Sequence, residues 1–219
     1  MKYSAVVLAA GQGTRTGLKH NKILHEINGK KIVDFSLNFF LNDKDCSQII
    51  LVIHSKEFSV LKDYQNCSKI TMISGGNSRQ ESVYKSLQFL QEKFVLIHDA
   101  ARPFLPVKSI KNLKDKLFDY PSVTLGVPVT DTIQRVDGDF AYEILDRTSL
   151  IATQTPQGFH TRKLIQAHEL AREQKYTGTD DTSLLLKFLD IKSYVIMGDY
   201  RNIKFTTQED LSYLEVIVT

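Results

Sequence analysis

The stretch YSAVVLAA at residues 3–10, followed at once by GQGTRTG at residues 11–17, is where the fold can first be recognised. A short apolar run without polar alternation is typical of a strand buried on both faces, as in a parallel sheet. A glycine-rich turn that opens into a helix offers backbone N–H groups and a positive dipole end to an anion. Gly11 and Gly13 lack a Cβ, which would let the backbone approach a phosphate closely. The stretch therefore predicts a buried strand that ends in a phosphate-binding loop.

The positive charge around this loop indicates the kind of phosphate that it suits. Dinucleotide-binding loops follow G-x-G-x-x-G and bind a pyrophosphate mainly through backbone N–H groups, whereas here Gly17 falls one place late. Arg15 lies inside the loop and Lys22 lies just beyond it. Two cations suit a triphosphate, especially one whose charge rises during a reaction. The loop alone leaves a second interpretation open, a solvated loop with two surface cations.

Composition excludes several classes of protein. The 219 residues include 28 basic and 25 acidic side chains, a balance that argues against a nucleic-acid or membrane-surface partner. No apolar stretch approaches the roughly 20 residues of a membrane span. The N-terminal apolar run leads into Gly-Gln-Gly rather than a small-residue cleavage site, so we expect no signal peptide. Cys46 and Cys67 lack metal-site spacing, and we expect two free thiols in a reducing cytoplasm.

The remaining chain alternates between strands and helices. Apolar runs predict further strands at residues 49–53, 70–73, 94–97, 123–129 and 194–197. Helical patterns predict helices at residues 31–41, 57–64, 78–91, 107–118, 161–174, 182–189 and 208–218. This alternation indicates a doubly wound, mostly parallel, Rossmann-like α/β sheet in one domain, residues 1–219. Ligands bind such sheets at the carboxyl ends of the strands, where Gly75, Gly76 and Asp99 fall.

Residues 131–153 interrupt this rhythm. Residues 131–136 alternate in polarity, Asp137-Gly138 is a hairpin turn signal, and residues 142–145 could form the returning strand. We therefore expect a β-hairpin arm at about residues 130–153. A lone hairpin is marginal in water, so we expect the arm to pack against another surface, with a second subunit as a candidate. Residues 154–157 are predicted as a loop, and residues 198–207 as a loop or short strand.

With these residues in view, the chain resembles the 2-C-methyl-D-erythritol 4-phosphate cytidylyltransferase family along nearly its whole length. No single motif is decisive, but all of them occur in order. The matching stretches are LAAGQGTR (8–15), Lys22, GGNSRQESV (75–83), HDAARPF (98–104), PVTDTI (128–133), DR (146–147), QTPQGF (154–159), TDD (179–181) and NIKFTTQEDL (202–211).

The resemblance implies a fold like that of the nucleotide-diphospho-sugar transferases and an activity in the non-mevalonate isoprenoid pathway. The reaction would transfer a cytidylyl group from CTP to methylerythritol phosphate and release pyrophosphate. The family is a homodimer joined through the arm and uses Mg²⁺ or another divalent cation. By resemblance, the catalytic residues are Arg15 and Lys22; CTP is bound by Ala9, Ala10, Gly11, Gly13, Arg15, Lys22, Gly75, Gly76, Ser82 and Ala100; the acceptor phosphate is bound by Thr132, Arg147, Lys204 and Arg102; and the metal is bound by Asp99. Thr132 and Arg147 would reach across from the partner's arm.

Two positions depart from the family pattern. Asn21 stands where the family often has a proline before the reactive lysine. Asn77 stands where the family commonly has an aspartate after the paired glycines, so a carboxylate contact to the cytidine is in question there. Neither departure removes a charge assigned to catalysis.

The chemistry explains why these residue types are needed. The nucleophile would be a phosphate oxygen that is already anionic, so no general base is required. Catalysis then depends on positioning and electrostatics, with Mg²⁺ held by one or two carboxylates and by phosphate oxygens. Taken singly, Asp99 could cap a loop, Arg102 could be a structural ion-pair partner, Arg147 could brace the hairpin, and Lys204 could be an exposed strand cation.

Three other functions remain open at this point. A ribitol 5-phosphate cytidylyltransferase would share the glycine-rich loop, HDA-x-RPF and QTPQ, although residues 179–181 and 146–147 favour the methylerythritol enzyme. An NAD-dependent oxidoreductase would need an acid at the end of the second strand, where His54-Ser55-Lys56 stands. A catalytically silent nucleotide-binding regulator is disfavoured by the retained charged positions.

Overall fold

A computed structural model describes residues 1–11, 21–210 and 213 of the protein. The strands are β1 (Tyr3–Ala9), β2 (Glu26–Ile27), β3 (Lys30–Lys31), β4 (Cys46–Ile53), β5 (Ile70–Ser74), β6 (Phe94–Asp99), β7 (Ser122–Pro128), β8 (Gln134–Asp137), β9 (Phe140–Ile144), β10 (Ile151–His160) and β11 (Tyr194–Met197). The helices are α1 (Ile32–Asn42), α2 (Arg79–Leu87), α3 (Val107–Lys116), α4 (Thr161–Glu173) and α5 (Asp181–Leu189).

A seven-stranded sheet in the order β11-β7-β10-β6-β1-β4-β5 forms the centre of the molecule. Its strands pair in parallel, except that β10 is antiparallel to both of its neighbours, β6 and β7. Helices cover both faces, with α1 and α3 packed in one apolar layer and α2, α4 and α5 in the other. The predicted doubly wound, mostly parallel sheet is therefore confirmed.

Strand β1 shows why its sequence lacks polar alternation. Ala5 and Val7 face the layer that contains α1 and α3, whereas Val6 between them faces the layer that contains α2, α4 and α5. All three side chains are fully buried. A strand with helices on both sides is apolar on both faces, and residues 5–10 display this pattern, whereas the buried Ser4 hydroxyl donates to Gln48 Oε1 at 2.9 Å.

The order of the strands creates a crevice beside β1. From β1 the chain continues to β4 and β5 on one side and then returns to β6 on the other side. The end of β6 stays close to the end of β1, because the Ala100 N–H donates to the Leu8 carbonyl oxygen at 3.0 Å. A change of direction of this kind is where ligands bind in open α/β sheets.

Two predicted elements were wrong. Residues 57–64, predicted as a helix, instead belong to two short 3₁₀ helices, Ser55–Glu57 and Lys62–Asn66, and to the turn that joins them. Leu61 is buried in that turn while Phe58 and Tyr64 pack against the core, a spacing of three residues that is shorter than the α-helical period of about 3.6 residues.

Residues 154–157, predicted as a loop, lie inside β10. The register with β7 shifts between Gln154 and Gln157, and the Thr155–Pro156 peptide bond is cis. Proline has no N–H for a ladder bond and is tolerated at such an irregularity, so its presence gave a loop signal within a genuine strand.

The predicted hairpin arm is confirmed. Strands β8 and β9 pair with each other alone, and Gly138 at the turn has a φ of +55°, a conformation that glycine adopts without strain. Every residue of both strands is exposed. The small pair β2–β3 was not predicted, and most of the helix predicted at residues 208–218 lies outside the described residues. Among the described helices, none is long and apolar enough to cross a bilayer.

Candidate active site

A pocket of about 600 Å³ opens at the carboxyl ends of β1 and β6, beside the segment that follows β5. It brings together most of the residues predicted to bind CTP, the predicted metal ligand and one predicted acceptor residue. The predicted residues that line it are Ala9, Ala10, Gly11, Lys22, Gly75, Gly76, Ser82, Asp99 and Lys204. A larger groove of about 960 Å³ between α1 and α3 contains none of the predicted residues.

The paired glycines form one wall of this pocket. A Cβ on Gly75 would lie 2.4 Å from the Ala10 Cβ, so only glycine permits this approach to the end of β1. The Gly76 N–H donates to the Ser82 hydroxyl at 3.0 Å, and that hydroxyl donates to the Ser78 carbonyl at 2.9 Å. Ser78 caps α2 by accepting the Glu81 N–H. Ser82 therefore shapes the glycine turn at the helix N-terminus.

Lys22 is a largely buried cation that also lines the pocket, with 9% of its surface exposed. Its Nζ donates to the Phe205 carbonyl at 2.6 Å. Asn21 holds the backbone of this turn, because its side-chain oxygen accepts the Ile23 N–H and its amide donates to the Ala9 carbonyl. The departure from proline at this position thus introduces a side-chain link between the Lys22 turn and β1.

Asp99 lies at the end of β6 with both carboxylate oxygens engaged. Arg79 Nε donates to Oδ1 at 3.2 Å and Lys204 Nζ donates to Oδ2 at 2.7 Å. Burial alone would raise the pKa of Asp99, but the two cations hold it well below its ordinary value. The carboxylate is therefore ionised at neutral pH.

The segment that carries Lys204 is tied to the sheet from both sides. Arg102 Nη1 donates to the Asn202 carbonyl at 2.7 Å, and the Phe205 N–H donates to the Ala101 carbonyl at 2.8 Å. Arg102 also reaches the Thr153 carbonyl at 3.4 Å and does not line the pocket. In this structure the predicted acceptor residue Arg102 anchors the segment beside Lys204.

His98, the residue before Asp99, is buried and hydrogen-bonded within the sheet rather than exposed in the pocket. It is fully buried, and burial lowers its pKa to about 4. Its Nε2 lies 3.1 Å from the Arg102 carbonyl, which can only accept, so Nδ1 is left to accept from the Thr155 hydroxyl at 3.1 Å. The same hydroxyl accepts the Asp99 N–H. The irregular part of β10 thereby fixes the backbone of Asp99.

Sequence reasoning missed three residues behind the pocket wall. Arg79, the first residue of α2, lines the pocket and pairs with Asp99 and with Asp181. Asp181, the first residue of α5, also accepts from His168 on α4. In the sequence, Asp181 is visible only as part of the matching stretch at residues 179–181, and no motif contains His168. The available signal for Arg79 was a cation three residues after the paired glycines, inside the matching stretch at residues 75–83.

Three other predicted residues that the structure describes, Ala100, Thr132 and Arg147, do not line this pocket. Ala100 is fully buried beneath it. Thr132 and Arg147 belong to the exposed arm, where Arg147 Nη1 donates to the Thr130 carbonyl at 2.7 Å. Gly13 and Arg15 lie outside the described residues. The roles assigned to all these residues stay predictions.

The pocket offers one carboxylate to a metal ion. Within residues 1–11, 21–210 and 213, no group of three or more His, Cys, Asp or Glu side chains could hold a metal. Mg²⁺ is commonly bound by one or two carboxylates together with substrate phosphates. Asp99 fits that requirement as an ionised carboxylate at the pocket. One of its two carboxylate oxygens would bind the metal once its ion pair with Lys204 or Arg79 opens. The residues therefore fit a cation that is held mainly by a polyphosphate.

The charges of this pocket favour a polyanionic ligand. Among the described lining residues, Lys22, Arg79 and Lys204 are the lysine and arginine cations and Asp99 is the one carboxylate. The helix α2 begins at its wall and adds the positive end of its dipole. Partly buried cations act more strongly on a bound anion than solvent-exposed ones, because water screens them less. The pocket is therefore suited to binding phosphate groups and to stabilising negative charge on them.

Comparison with known proteins agrees with this geometry. The family model described as IspD, 2-C-methyl-D-erythritol 4-phosphate cytidylyltransferase, matches residues 3–219. A protein of that name from Geobacillus thermodenitrificans is 42% identical, covering 100% of this chain and 97% of its own. The crystal structure of 4-diphosphocytidyl-2C-methyl-D-erythritol synthase from Anaerococcus prevotii superposes with a TM-score of 0.87 at 29% identity, covering 99% and 96% of the two chains. A Francisella tularensis 2-C-methyl-D-erythritol 4-phosphate cytidylyltransferase gives 0.83 at 28% identity, covering 99% of each chain. With a cation-lined pocket at the switch point of the sheet and this similarity over its whole length, the chain belongs to the 2-C-methyl-D-erythritol 4-phosphate cytidylyltransferase family.

Proposed function

We propose that this protein is a CTP-dependent nucleotidyltransferase that transfers a cytidylyl group to 2-C-methyl-D-erythritol 4-phosphate. The products are 4-diphosphocytidyl-2-C-methyl-D-erythritol and pyrophosphate. The reaction is an intermediate step in isoprenoid biosynthesis. The observation that carries the proposal is the convergence of Lys22, Arg79 and Lys204 on one pocket beside Asp99. Such a pocket suits a reaction between two phosphate-bearing molecules, because its positive charge offsets the repulsion between their negative charges.

The transfer needs charge stabilisation more than it needs proton transfer. An acceptor phosphate oxygen attacks the α-phosphorus of CTP, a P–O bond forms, and the bond to the β-phosphate oxygen breaks with its electron pair leaving on pyrophosphate. The attacking oxygen is already anionic, so no general base is required. Catalysis of phosphoryl-type transfer comes mainly from positioning and electrostatics.

We assign these tasks to the cations of the pocket and its loop. Lys22 is held by a backbone carbonyl and meets the charge that develops on the triphosphate, together with Arg15 of the glycine-rich loop. Lys204 binds the acceptor phosphate. Gly75, Gly76 and the other CTP residues named from the resemblance shape the nucleotide pocket. Asp99 would hold a divalent cation such as Mg²⁺, which when bound neutralises phosphate charge.

We also propose that the enzyme is a homodimer joined through the arm, which brings Thr132 and Arg147 to the partner's acceptor site. The support is the apolar surface of the arm, since Phe140 is 79% exposed and Tyr142 and Ile144 are also exposed. Large apolar side chains on an unpaired hairpin mark an interaction surface. The free thiols of Cys46 and Cys67 suit a cytoplasmic enzyme of one domain.

The test is an incubation of the protein with CTP, Mg²⁺ and one acceptor at a time. We expect pyrophosphate release with methylerythritol phosphate and little release with ribitol 5-phosphate. Release with ribitol 5-phosphate but not with methylerythritol phosphate would show that ribitol 5-phosphate is the acceptor. CTP binding without release in either mixture would leave only the catalytically silent nucleotide-binding regulator. The Lys22→Ala variant controls for contaminating activity, because its loss of release assigns the turnover to this pocket.

A further inference from the structure

A series of connected ion pairs and hydrogen bonds leads from the pocket to buried residues of α4 and α5. Lys204 pairs with Asp99 at 2.7 Å, Asp99 with Arg79 at 3.2 Å, and Arg79 Nη1 with Asp181 at 2.7 Å. His168 Nε2 completes the chain at 2.9 Å from Asp181. These residues come from five separate segments, so the chain can form only in the folded protein.

The two residues at the far end of this chain, Asp181 and His168, are almost completely buried. Asp181 and His168 are each 1% exposed, and neither lines the pocket with Asp99. A carboxylate can only accept hydrogen bonds, so Nε2 of His168 carries the proton and Nδ1 is unprotonated or a second donor. Nδ1 has no hydrogen-bond partner among the described residues. Among the described residues, Asp181 is therefore the one hydrogen-bond partner of the imidazole, whose ring also lies 6.4 Å from the Tyr84 ring.

Arg79 is the member of this group that links the enclosed end to the pocket. Its side chain is 27% exposed and lines the pocket. Two of its three nitrogens are used, Nε on Asp99 and Nη1 on Asp181, and within the described residues Nη2 makes no hydrogen bond. A free arginine side chain has many rotamers, and holding it at two points lowers the entropy that it loses when it binds a ligand. Nη2 therefore remains available on an already ordered guanidinium.

We propose that Asp181 and His168 are positioning residues for CTP binding, which hold Arg79 so that its guanidinium meets the triphosphate. His168 holds Asp181, Asp181 holds Arg79, and Arg79 in turn shares Asp99 with Lys204. The inference rests on the proposed function, because it takes CTP as the ligand of the pocket.

The sign of the effect separates positioning from simple charge. Asp181→Asn removes a negative charge behind the pocket, which by electrostatics alone would strengthen the binding of a polyanion. Loss of the anchor on Arg79 has the opposite effect. We expect the lost anchor to outweigh the removed charge. The Kd for CTP, measured by titration calorimetry, should then rise roughly tenfold, a size typical of the coupling between residues in one hydrogen-bond network. KM for CTP should rise in parallel, with a much smaller change in KM for the acceptor. Unchanged or tighter CTP binding by Asp181→Asn would overturn the proposal.

Asp180→Asn is the matched control at the same helix start. Asp180 caps α5 through Ser183 and contacts Gln157, with no contact to Arg79, and asparagine caps a helix about as well. We expect wild-type CTP affinity in this variant. An equal loss in Asp180→Asn and Asp181→Asn would assign the effect to the helix terminus and contradict the proposal.

A double-mutant cycle tests whether Asp181 acts through Arg79. In an Arg79→Gln background, Asp181→Asn should add little further loss of CTP affinity, whereas independent effects would multiply and refute the chain. His168 gives a second route if Asp181→Asn does not fold. His168→Leu should weaken CTP binding, and His168→Gln, whose amide can still donate, should restore most of it. Equal losses in both His168 variants would indicate packing alone and contradict a positioning role. Failure of the wild-type protein itself to bind CTP would instead defeat the proposed function.

Discussion

Gly75→Ala is the substitution whose effect on the pocket follows most directly from the structure. A Cβ at this position would lie 2.4 Å from the Ala10 Cβ and 3.0 Å from the Ser82 Oγ. Carbon atoms in contact prefer roughly 3.5–4.0 Å, so the glycine turn and the end of β1 would have to separate by about 1 Å. Alanine has no rotamer that avoids this contact, and the backbone itself must therefore move. A displacement of that size near a reacting group costs on the order of 10²-fold in rate.

We expect Gly75→Ala to lower kcat/KM for CTP by about 10²-fold, which corresponds to about 2.7 kcal/mol of activation free energy. The assay is steady-state pyrophosphate release at saturating methylerythritol phosphate. Thermal unfolding should show a loss of about 1–3 kcal/mol, the usual cost of overpacking. The protein should nevertheless remain folded, so the loss of activity can be separated from unfolding.

The control for this prediction exchanges the two side chains. Ala10→Gly combined with Gly75→Ala removes the atom that makes the shortest contact, and we expect it to recover roughly tenfold of the lost activity. The remaining 3.0 Å contact with Ser82 limits complete recovery. A single variant with wild-type kcat/KM, or a double variant no more active than the single one, would refute the reasoning.

Four further predictions concern individual residues. Lys22→Ala and Arg15→Ala should each lower kcat by roughly 10²–10³, the scale of one preorganised transition-state contact, and near-normal kcat in both would remove them from catalysis. Arg147→Ala should mainly raise KM for the acceptor, measured by steady-state kinetics, because it is assigned to a ground-state phosphate, and a selective loss of CTP affinity would reverse that assignment. If the proposed dimer forms through the arm, Phe140→Asp should give a monomer in sedimentation velocity, and a sedimentation coefficient equal to that of the wild-type dimer would exclude the arm from the interface. His98 has its pKa lowered to about 4, so its contribution to the free energy of unfolding should be complete above pH about 6.5 and decline as the pH falls toward 4. The free energy of unfolding, measured by chemical denaturation across that pH range, should change less steeply with pH in His98→Gln than in the wild type. The same pH dependence in both proteins would contradict the burial argument.

The fold was largely predictable because it depends on local patterns. The apolar run of β1 needs no partner to be recognised, since burial on both faces imposes the same composition on any such strand. The hairpin arm was predictable for a similar reason, because Asp137-Gly138 supplies the turn conformation locally. The failures occurred where tertiary packing decides. Strand β10 accommodates Pro156 at a register shift, which depends on strands far away in the sequence.

The sequence predicted which residues belong to the candidate site better than it predicted the contacts among them. Lys22, Asp99 and Lys204 were each proposed, and the structure brings them to one pocket. That Lys204 would pair with Asp99, and that Arg102 would serve to anchor the chain beside Lys204, could not be inferred from spacing. Neither residue type nor distance along the chain indicates which of two nearby cations meets the ligand.

By itself, then, the sequence determined the apolar centre of the sheet, the glycine turns at its edge and the set of charges available for phosphate chemistry. Only the tertiary structure decided how those charges are paired. The physical reason is that electrostatic energy depends on separation in space and on burial, not on separation along the chain. That Arg79, Asp181 and His168 contact one another becomes evident only when the helices that bear them pack on the same face of the sheet.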